Sequence, residues 1–563
     1  MGTERRYLKT GIIFGGIALL MLGYSNEILA QEQWEKVKEG EIKDVEFEIV
    51  KDRQIFLPKA SRNFSKVPPR PYEPIKPDIS YEFKNFKFTT PDYKANVRPL
   101  KLQQEGLSRM FGNYVSIGFG NYASIFGEGA ITTKRDKNKF LGAHLYTRSF
   151  GSGPVDGKNS ASTTTELQLF GKSMGRDITV SGSANYDNRG TYFYGYLPIP
   201  ETNRDKIRQT YSMVSMNAGV ENTRRGDFNY SFKAGYSYLQ DHYKATEGEV
   251  SLLFNSEYKI DEASKFLLNA DYFLINRSDS LISTPSRQLL RIRPSYQFIP
   301  IEKLLITAGL NIAIQNDQYK GSKDLHLYPH IKAQYLLGSA VEIYGLVTGD
   351  MDKVNLHTLS AENIWINSNI SISHTNRALE FQGGMKGKIG SKAAFGVGIS
   401  VAALKNYYYY LNIENSALSN KFNIVYDGDT KRVNPFAEIS YSQAETFRLT
   451  LRGDYFSYNT NDLQEAFHRP TYKVNFNTRY NFYDKIFIEA GIISQGGMKA
   501  VDQGLSVITL DPAFDVNLKM RYFISKEFSA FIQFNNMLSN NYPLYQSYPV
   551  RGFQALGGVN WSF

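Results

Sequence analysis

The 563-residue chain has no cysteine, only 20 prolines and, beyond Ala30, no apolar run near the 18 or so residues of a membrane helix. The missing thiols exclude a lipid-modified N-terminal cysteine, a disulfide framework and any thiolate metal or catalytic site. Histidine is scarce, with 7 residues and no ligand spacing. His326 and His330, four apart, would stand about 13 Å from each other on a strand, too far to share one ion. No cofactor and no metal are expected, and the chain is expected not to be an enzyme.

At the N-terminus, Arg5, Arg6 and Lys9 precede the apolar run Gly11 to Gly23, and Ser25 to Ala30 offers small residues for cleavage. The run is about 13 residues, short of the roughly 20 needed to span a bilayer as a helix, so residues 1–30 read as a signal peptide. Net charge is +10 with a pI near 9.1. Lysine and arginine are interleaved with acids and form no basic block, so nucleic acid is not expected as a partner. The phosphates of lipopolysaccharide are the more natural anionic partner.

What the chain has in quantity is 39 Tyr, 37 Phe and 45 Gly, with an aromatic fraction of 14% and a mean hydropathy of −0.38. This is a strand composition that averages out as mildly polar. A membrane barrel reconciles the two facts, because only alternate residues of each strand must face lipid. The period is explicit in Phe514 to Tyr522, where Phe514, Val516, Leu518, Met520 and Tyr522 oppose Asp515, Asn517, Lys519 and Arg521. Tyr472 to Tyr480 and Phe447 to Tyr455 repeat it. Tight polar turns, such as Met174 to Asp177, Lys388 to Lys392 and Tyr483 to Lys485, alternate with longer links such as Ser149 to Ser160, Met351 to Ile370 and Gly496 to Pro512. Short periplasmic turns and long extracellular loops produce that alternation. It predicts an all-β, transmembrane antiparallel β-barrel of about 22 strands over residues 111–563. The run Tyr407 to Tyr410 is expected in an interfacial aromatic girdle.

Residues 31–110 differ in character. After a charged opening comes the short alternating segment Val45, Phe47 and Ile49, then Val67-Pro68-Pro69-Arg70-Pro71-Tyr72-Glu73-Pro74. Proline removes backbone donors and favours polyproline II, so this stretch is expected to be an extended periplasmic arm. Three readings of its docking segment stand: a strand added to a periplasmic energiser, a tether to another machine, or a strand packed on itself.

The chain ends on Phe553, Ala555, Gly557, Val559, Trp561 and Phe563 alternating with smaller and polar residues. Phe553, Val559, Trp561 and the terminal Phe563 form the expected assembly signal, a free-edged strand that the outer-membrane barrel assembly machinery captures before closure. Asn535-Asn536-Met537-Leu538, then Tyr542, then Pro549-Val550-Arg551-Gly552-Phe553 before this strand resembles the closing segment of TonB-dependent outer-membrane receptors, especially the Bacteroidota type. The likeness extends more loosely from about Leu107 to Phe563. It implies a barrel of 22 strands in the outer membrane of a Gram-negative bacterium, and in that family a plug of well over a hundred residues fills the lumen. Only the arm precedes the first strand here, so the barrel is expected to lack the plug. A protein partner is expected to occlude the lumen, the alternatives being that the arm and long loops fold inward or that bulky inward side chains narrow it.

Arg448, Arg452, Lys473, Arg479, Lys519 and Arg521 fall on inward faces, where they favour anions in a pore or brace the wall against Asp454, Asp515 and Asp271. Two functions follow: transport across the outer membrane by a plugless, porin-like barrel with partner proteins, or a structural subunit of an outer-membrane assembly or secretion complex.

Overall fold

The computed structural model describes residues 111–563, apart from 134–135, 197–201, 281–284, 320–321, 413–420 and 503–505. The expected signal peptide, the Pro-rich arm and its docking segment Val45, Phe47 and Ile49 lie outside the described residues.

The first eight barrel strands are β1 (Asn113–Gly120), β2 (Ser124–Thr132), β3 (Lys139–Phe150), β4 (Ser162–Met174), β5 (Ile178–Tyr192), β6 (Arg208–Asn222), β7 (Phe228–Asp241) and β8 (Thr246–Lys259). Next come β9 (Ser264–Ser278), β10 (Arg287–Ile301), β11 (Leu304–Gln315), β12 (Leu325–Leu337), β13 (Val341–Asp352), β14 (Thr375–Ile389), β15 (Ala393–Leu411) and β16 (Asn423–Gln443). The ring is completed by β17 (Phe447–Tyr455), β18 (Tyr472–Phe482), β19 (Ile486–Gly496), β20 (Ala513–Phe523), β21 (Phe528–Asn535) and β22 (Gln554–Ser562). Each pairs antiparallel with its chain neighbours, and β22 closes onto β1 from Tyr114↔Ser562 to Gly120↔Leu556. The result is a closed barrel of 22 strands, the number expected from the turn pattern.

One rim carries tight turns and the other mostly longer links, as the sequence indicates, with Asn121–Ala123 and His242–Ala245 as short connections on the long-link rim. A turn it did not signal, Gly338–Ala340, joins β12 to β13. The local sequence Leu337-Gly338-Ser339-Ala340-Val341 has neither charge nor proline to mark a reversal, and Gly338 alone supplies it with a φ of 64°.

The outer wall is apolar: Leu145, Leu169, Met216, Ile331 and Phe381 are all exposed on it. Polar groups such as Thr307, Asn311, Glu380 and Ser400 are buried inside. This inverts the distribution of a water-soluble sandwich and suits hydrocarbon outside and water within. Leu518 lies mid-strand on β20, in the same face as the exposed Phe514 and Tyr522. Leu518→Arg is therefore expected to cost roughly 2 to 4 kcal/mol. Unchanged folding stability in a lipid-vesicle unfolding titration would show that this face does not meet the bilayer midplane.

Candidate functional site: a hairpin tip across the barrel mouth

The wall is not continuous up to the long-loop rim. β12 and β13 pair only from His330↔Thr348 down to Leu337↔Val341, whereas β13 and β14 stay paired up to Asp352↔Thr375. Arg377 and Leu379 oppose the consecutive residues Leu404 and Ala403 of β15, which makes Ala378 an extra residue in β14. Such a bulge bends a strand, and here it turns the β13–β14 tip into the lumen.

The wall's inner side chains take up the main-chain groups that β12 relinquishes. Asn311 Nδ2 donates to Gly349 O at 2.7 Å, and Arg291 Nη1 donates to Met351 O at 2.8 Å. Met351 is buried beside Phe273, Ile275, Leu289, Ala313 and Tyr328, an apolar patch of the inner wall that the insertion covers. At Gly349 an added Cβ would lie 2.6 Å from Tyr328 Cδ1 and 2.8 Å from Ala378 O. Backbone cannot yield there, so Gly349→Val is expected to weaken seating of the tip by about 1 to 3 kcal/mol. Limited proteolysis checks this: cleavage within 353–374 should accelerate in the variant, and wild-type protection would refute the crowding.

The link from 353 to 374 then sweeps along the inside of the wall. Asn355 caps a short helix, α1 (Leu356–Glu362), its side chain accepting from Thr358 N at 2.8 Å. Glu247 of β8 accepts from Leu356 N at 2.8 Å and His357 N at 3.2 Å, placing a carboxylate against the orphan amides of the helix start. Glu249 accepts from Asn355 Nδ2 at 2.6 Å and pairs with Lys353. On the return path Arg277 of β9 donates to Ser368 O at 2.6 Å and to Ile370 O.

The strongest clamp is at the base. Arg287 of β10 donates from Nε and Nη2 to Asp317 at 2.6 and 2.8 Å, from Nη1 to Val354 O at 3.0 Å, and approaches His374 Nδ1 at 2.9 Å. Asp317 also accepts from His374 N at 2.6 Å. Burial alone would raise the Asp317 carboxyl, but the arginine and the surrounding donors outweigh it and hold the group below its ordinary range. His374 Nδ1 faces two donors, Arg287 and Val354 N, so the ring is neutral with its proton on Nε2. Burial, reinforced by the charge of Arg287, pushes its pKa down to about 3.

The far end of the link reaches the opposite wall. Glu362 accepts from Tyr408 OH at 2.6 Å and Tyr410 OH at 3.1 Å and pairs with Arg469, while Tyr545 OH donates to Glu362 O at 3.0 Å. The Arg469 guanidinium lies 4.9 to 5.9 Å from the ring centres of Tyr407 to Tyr410. Trp365 stacks on Tyr548 at 4.3 Å. Leu356, Leu359 and Ile366 are wholly buried among Phe193, Tyr211, Phe422 and Tyr548, which come from β6 and from three other links. Each such side chain contributes about 1.5 to 3 kcal/mol. The mouth is thus crossed by a packed apolar core with buried ionic clamps.

Tyr407 to Tyr410 do not form a membrane girdle. Tyr408, Tyr409 and Tyr410 are buried in the loop core, because the β15–β16 hairpin pairs on to Leu411↔Asn423 and meets neighbouring links. Of the six basic residues singled out above, Arg448, Arg479 and Lys519 line one lumen cavity of about 510 Å³ together with Asn477, Asn517 and Gln533. Arg479 pairs with Glu489 at 2.6 Å, and Arg452 pairs with Asp454 at 2.9 Å and Glu438 at 3.2 Å. Arg521 extends along the same strand face as Lys519, and Lys473 lies opposite Asp454. Asp271 braces Arg291 and Arg293 instead, and Asp515 accepts from Tyr542 OH at 2.9 Å. On β22, Val559 and Trp561 face outward, Trp561 stacks on Phe563 at 4.4 Å, and Phe553 precedes the strand.

No family model and no curated protein matches the chain. Solved structures do. The FrpB iron transporter of Neisseria meningitidis superposes with a TM-score of 0.64 at 11% identity, covering 81% of this chain and 82% of that one. The siderophore receptor PiuA of Acinetobacter baumannii gives 0.59 at 10%, with coverage of 81% and 82%. The pyoverdine outer-membrane receptor FpvA of Pseudomonas aeruginosa gives 0.57 at 13%, with coverage of 82% and 79%. The barrel fold is that of outer-membrane receptors.

Proposed function

We propose that the protein is an outer-membrane transport barrel related to TonB-dependent receptors, closed at rest by the inserted β13–β14 tip and opened by a partner or substrate. The observation that carries this reading is the tip itself. A segment anchored to β8, β9 and β10 on one side and to Tyr408, Tyr410 and Tyr545 on the other obstructs the mouth. Toward β12 it is held by side chains in place of strand pairing, while β14 stays paired with β15 up to Asn376↔Lys405 and the link bonds main chain to main chain with Phe422. The receptor-type fold supports the outer membrane as its location, with the tight-turn rim and residues 31–110 in the periplasm. Lipopolysaccharide would meet the outer wall and rim. A plugless lumen with a protein partner occluding it is part of the proposal, as is the docking of Val45, Phe47 and Ile49 on a periplasmic component.

The cavity bearing Arg448, Arg479 and Lys519 supports anionic solutes as the class that passes, since only Glu489 among its lining residues carries a negative charge. Planar-bilayer recording of the purified full chain tests the reading. Rare, anion-selective openings are expected, and a barrel that never conducts, with or without co-purified partners, would refute transport. The apolar packing across the mouth favours that second outcome in one respect, since a sealed barrel suits a structural subunit of an assembly or secretion complex. Such a subunit would hold the same partners regardless of solute.

Assembly is proposed to depend on the terminal aromatic. Phe563 N donates to Asn113 O at 3.0 Å at the closing seam, and its ring covers Trp561. Deleting Phe563 is expected to reduce the heat-modifiable folded barrel in outer membranes severalfold, and normal levels would count against this strand as the signal.

A further inference from the structure

The seam left by the departing tip has a defined chemistry. Gln315 N donates to Asp324 O and Leu336 N to Lys303 O, so even-numbered residues of β12 bond to β11. Odd-numbered residues therefore point their N–H and C=O groups the other way. Below the seam Ile331, Ala333 and Tyr335 use them on β13, but at Leu325 and Leu327 no strand of the described residues pairs on that side. Pro329 has no N–H to offer, which shortens the open edge. Both leucines are exposed on the outer wall, where unpaired backbone is costly.

β13 carries a complementary pattern. Ile343, Gly345 and Val347 face outward opposite Tyr335, Ala333 and Ile331. The same parity continues into Gly349 and Met351, with the polar Thr348, Asp350 and Asp352 between them. The extra residue of the bulge belongs to β14, so β13 itself is regular up to Asp352. In the inserted position the outward face of Gly349 and Met351 rests on the inner face of β9 to β12.

We propose that the upper half of β13 has a second seat on the free edge of β12. Continuing the register His330↔Thr348 brings Leu327 opposite Met351 and His326 opposite Asp352. Pairing there satisfies the edge, returns Met351 to the outer wall and draws the 353–374 link out of the mouth. The barrel thus exchanges a sealed mouth with an unzipped seam for a zipped seam with an open mouth. The buried patch around Phe273 and Leu289 and the Arg287 clamp favour the first position. This deepens the transport reading, on which only its consequence for conductance rests.

The absence of native cysteine makes the test direct. Directly opposed residues of an antiparallel pair lie about 4.5 to 5.5 Å apart, within disulfide range. In the inserted position Leu327 points out of the barrel and Met351 is buried inside it. Full-length Leu327→Cys/Met351→Cys in proteoliposomes is expected to lose both free thiols under mild oxidation, without forming dimers, and to gain a conductance that reductant removes. Ala313→Cys/Met351→Cys, within the buried cluster, should hold the tip inward and suppress openings. If the first pair keeps its thiols while the second links, the second seat does not exist. If it links without any rise in conductance, the two seats stand and the transport reading fails. Where Leu327→Cys/Met351→Cys does not insert as a folded barrel, His326→Cys/Asp352→Cys tests the same register.

Discussion

Arg287→Met is expected to unseat the hairpin tip and leave the barrel open. Arg287 is nearly inaccessible and makes four contacts at the base of the link: two bonds to Asp317, one to Val354 O and one to His374. Removing one member of a buried pair strands the other, at a cost of about 3 to 5 kcal/mol. Each 1.4 kcal/mol is about tenfold in an equilibrium, so the closed population should fall by roughly a hundredfold or more relative to the open one. Conductance and susceptibility to bulky hydrophilic antibiotics should both rise. Arg287→Met combined with Asp317→Leu removes both charges together and should recover much of the closure. If the single variant conducts no more than wild type, the clamp does not control the mouth.

Acidification is expected to open the same barrel. The imidazole of His374 is held neutral at about 3 by burial beside Arg287, and that of His468 at about 4 by burial. His468 donates from Nδ1 to Tyr410 O at 2.7 Å and accepts Gln546 N on Nε2 at 3.3 Å, so it too has no room for a second proton. A depressed native value means that the released link binds more protons than the seated one. Stability is therefore complete above pH 6.5 and is lost as pH falls toward these values. For His374 about 2 kcal/mol is gone by pH 5, and roughly 5 kcal/mol on full charging. Open probability recorded from pH 7.5 to 4.5 should climb steadily below 6.5, and His374→Gln should flatten the curve. A flat wild-type profile would mean that the histidines stay buried whatever the mouth does.

The barrel was legible because its constraint is periodic. Phe514 to Tyr522 alternates without error, and β20 occupies Ala513–Phe523; Phe447 to Tyr455 coincides with β17. The inserted tip was not legible, since its residues obey the same strand pattern up to Asp352 and nothing local reveals that β13 leaves β12. A signal was nonetheless present in the link, where Leu356, Leu359, Ile364, Trp365, Ile366, Ile370 and Ile372 are too apolar for a solvated loop. Arg287, Asp317 and His374 come together from separate elements, and no spacing along the chain announces them. The Tyr407 to Tyr410 run misled for a related reason: aromatics suit a membrane interface and a loop core equally.

The seam between β1 and β22 bears on how the molecule is made. Every other strand pair joins neighbours in the chain and can form hairpin by hairpin, but Asn113 waits for Phe563. Closing that ring costs about 5 kcal/mol of chain entropy, and none of it can be met before the last residue is synthesised. Until then the polypeptide presents two bare strand edges, the side of β1 that β2 leaves free and the far side of β21, beside an apolar exterior, so the molecule is at its most aggregation-prone just before its last strand pairs.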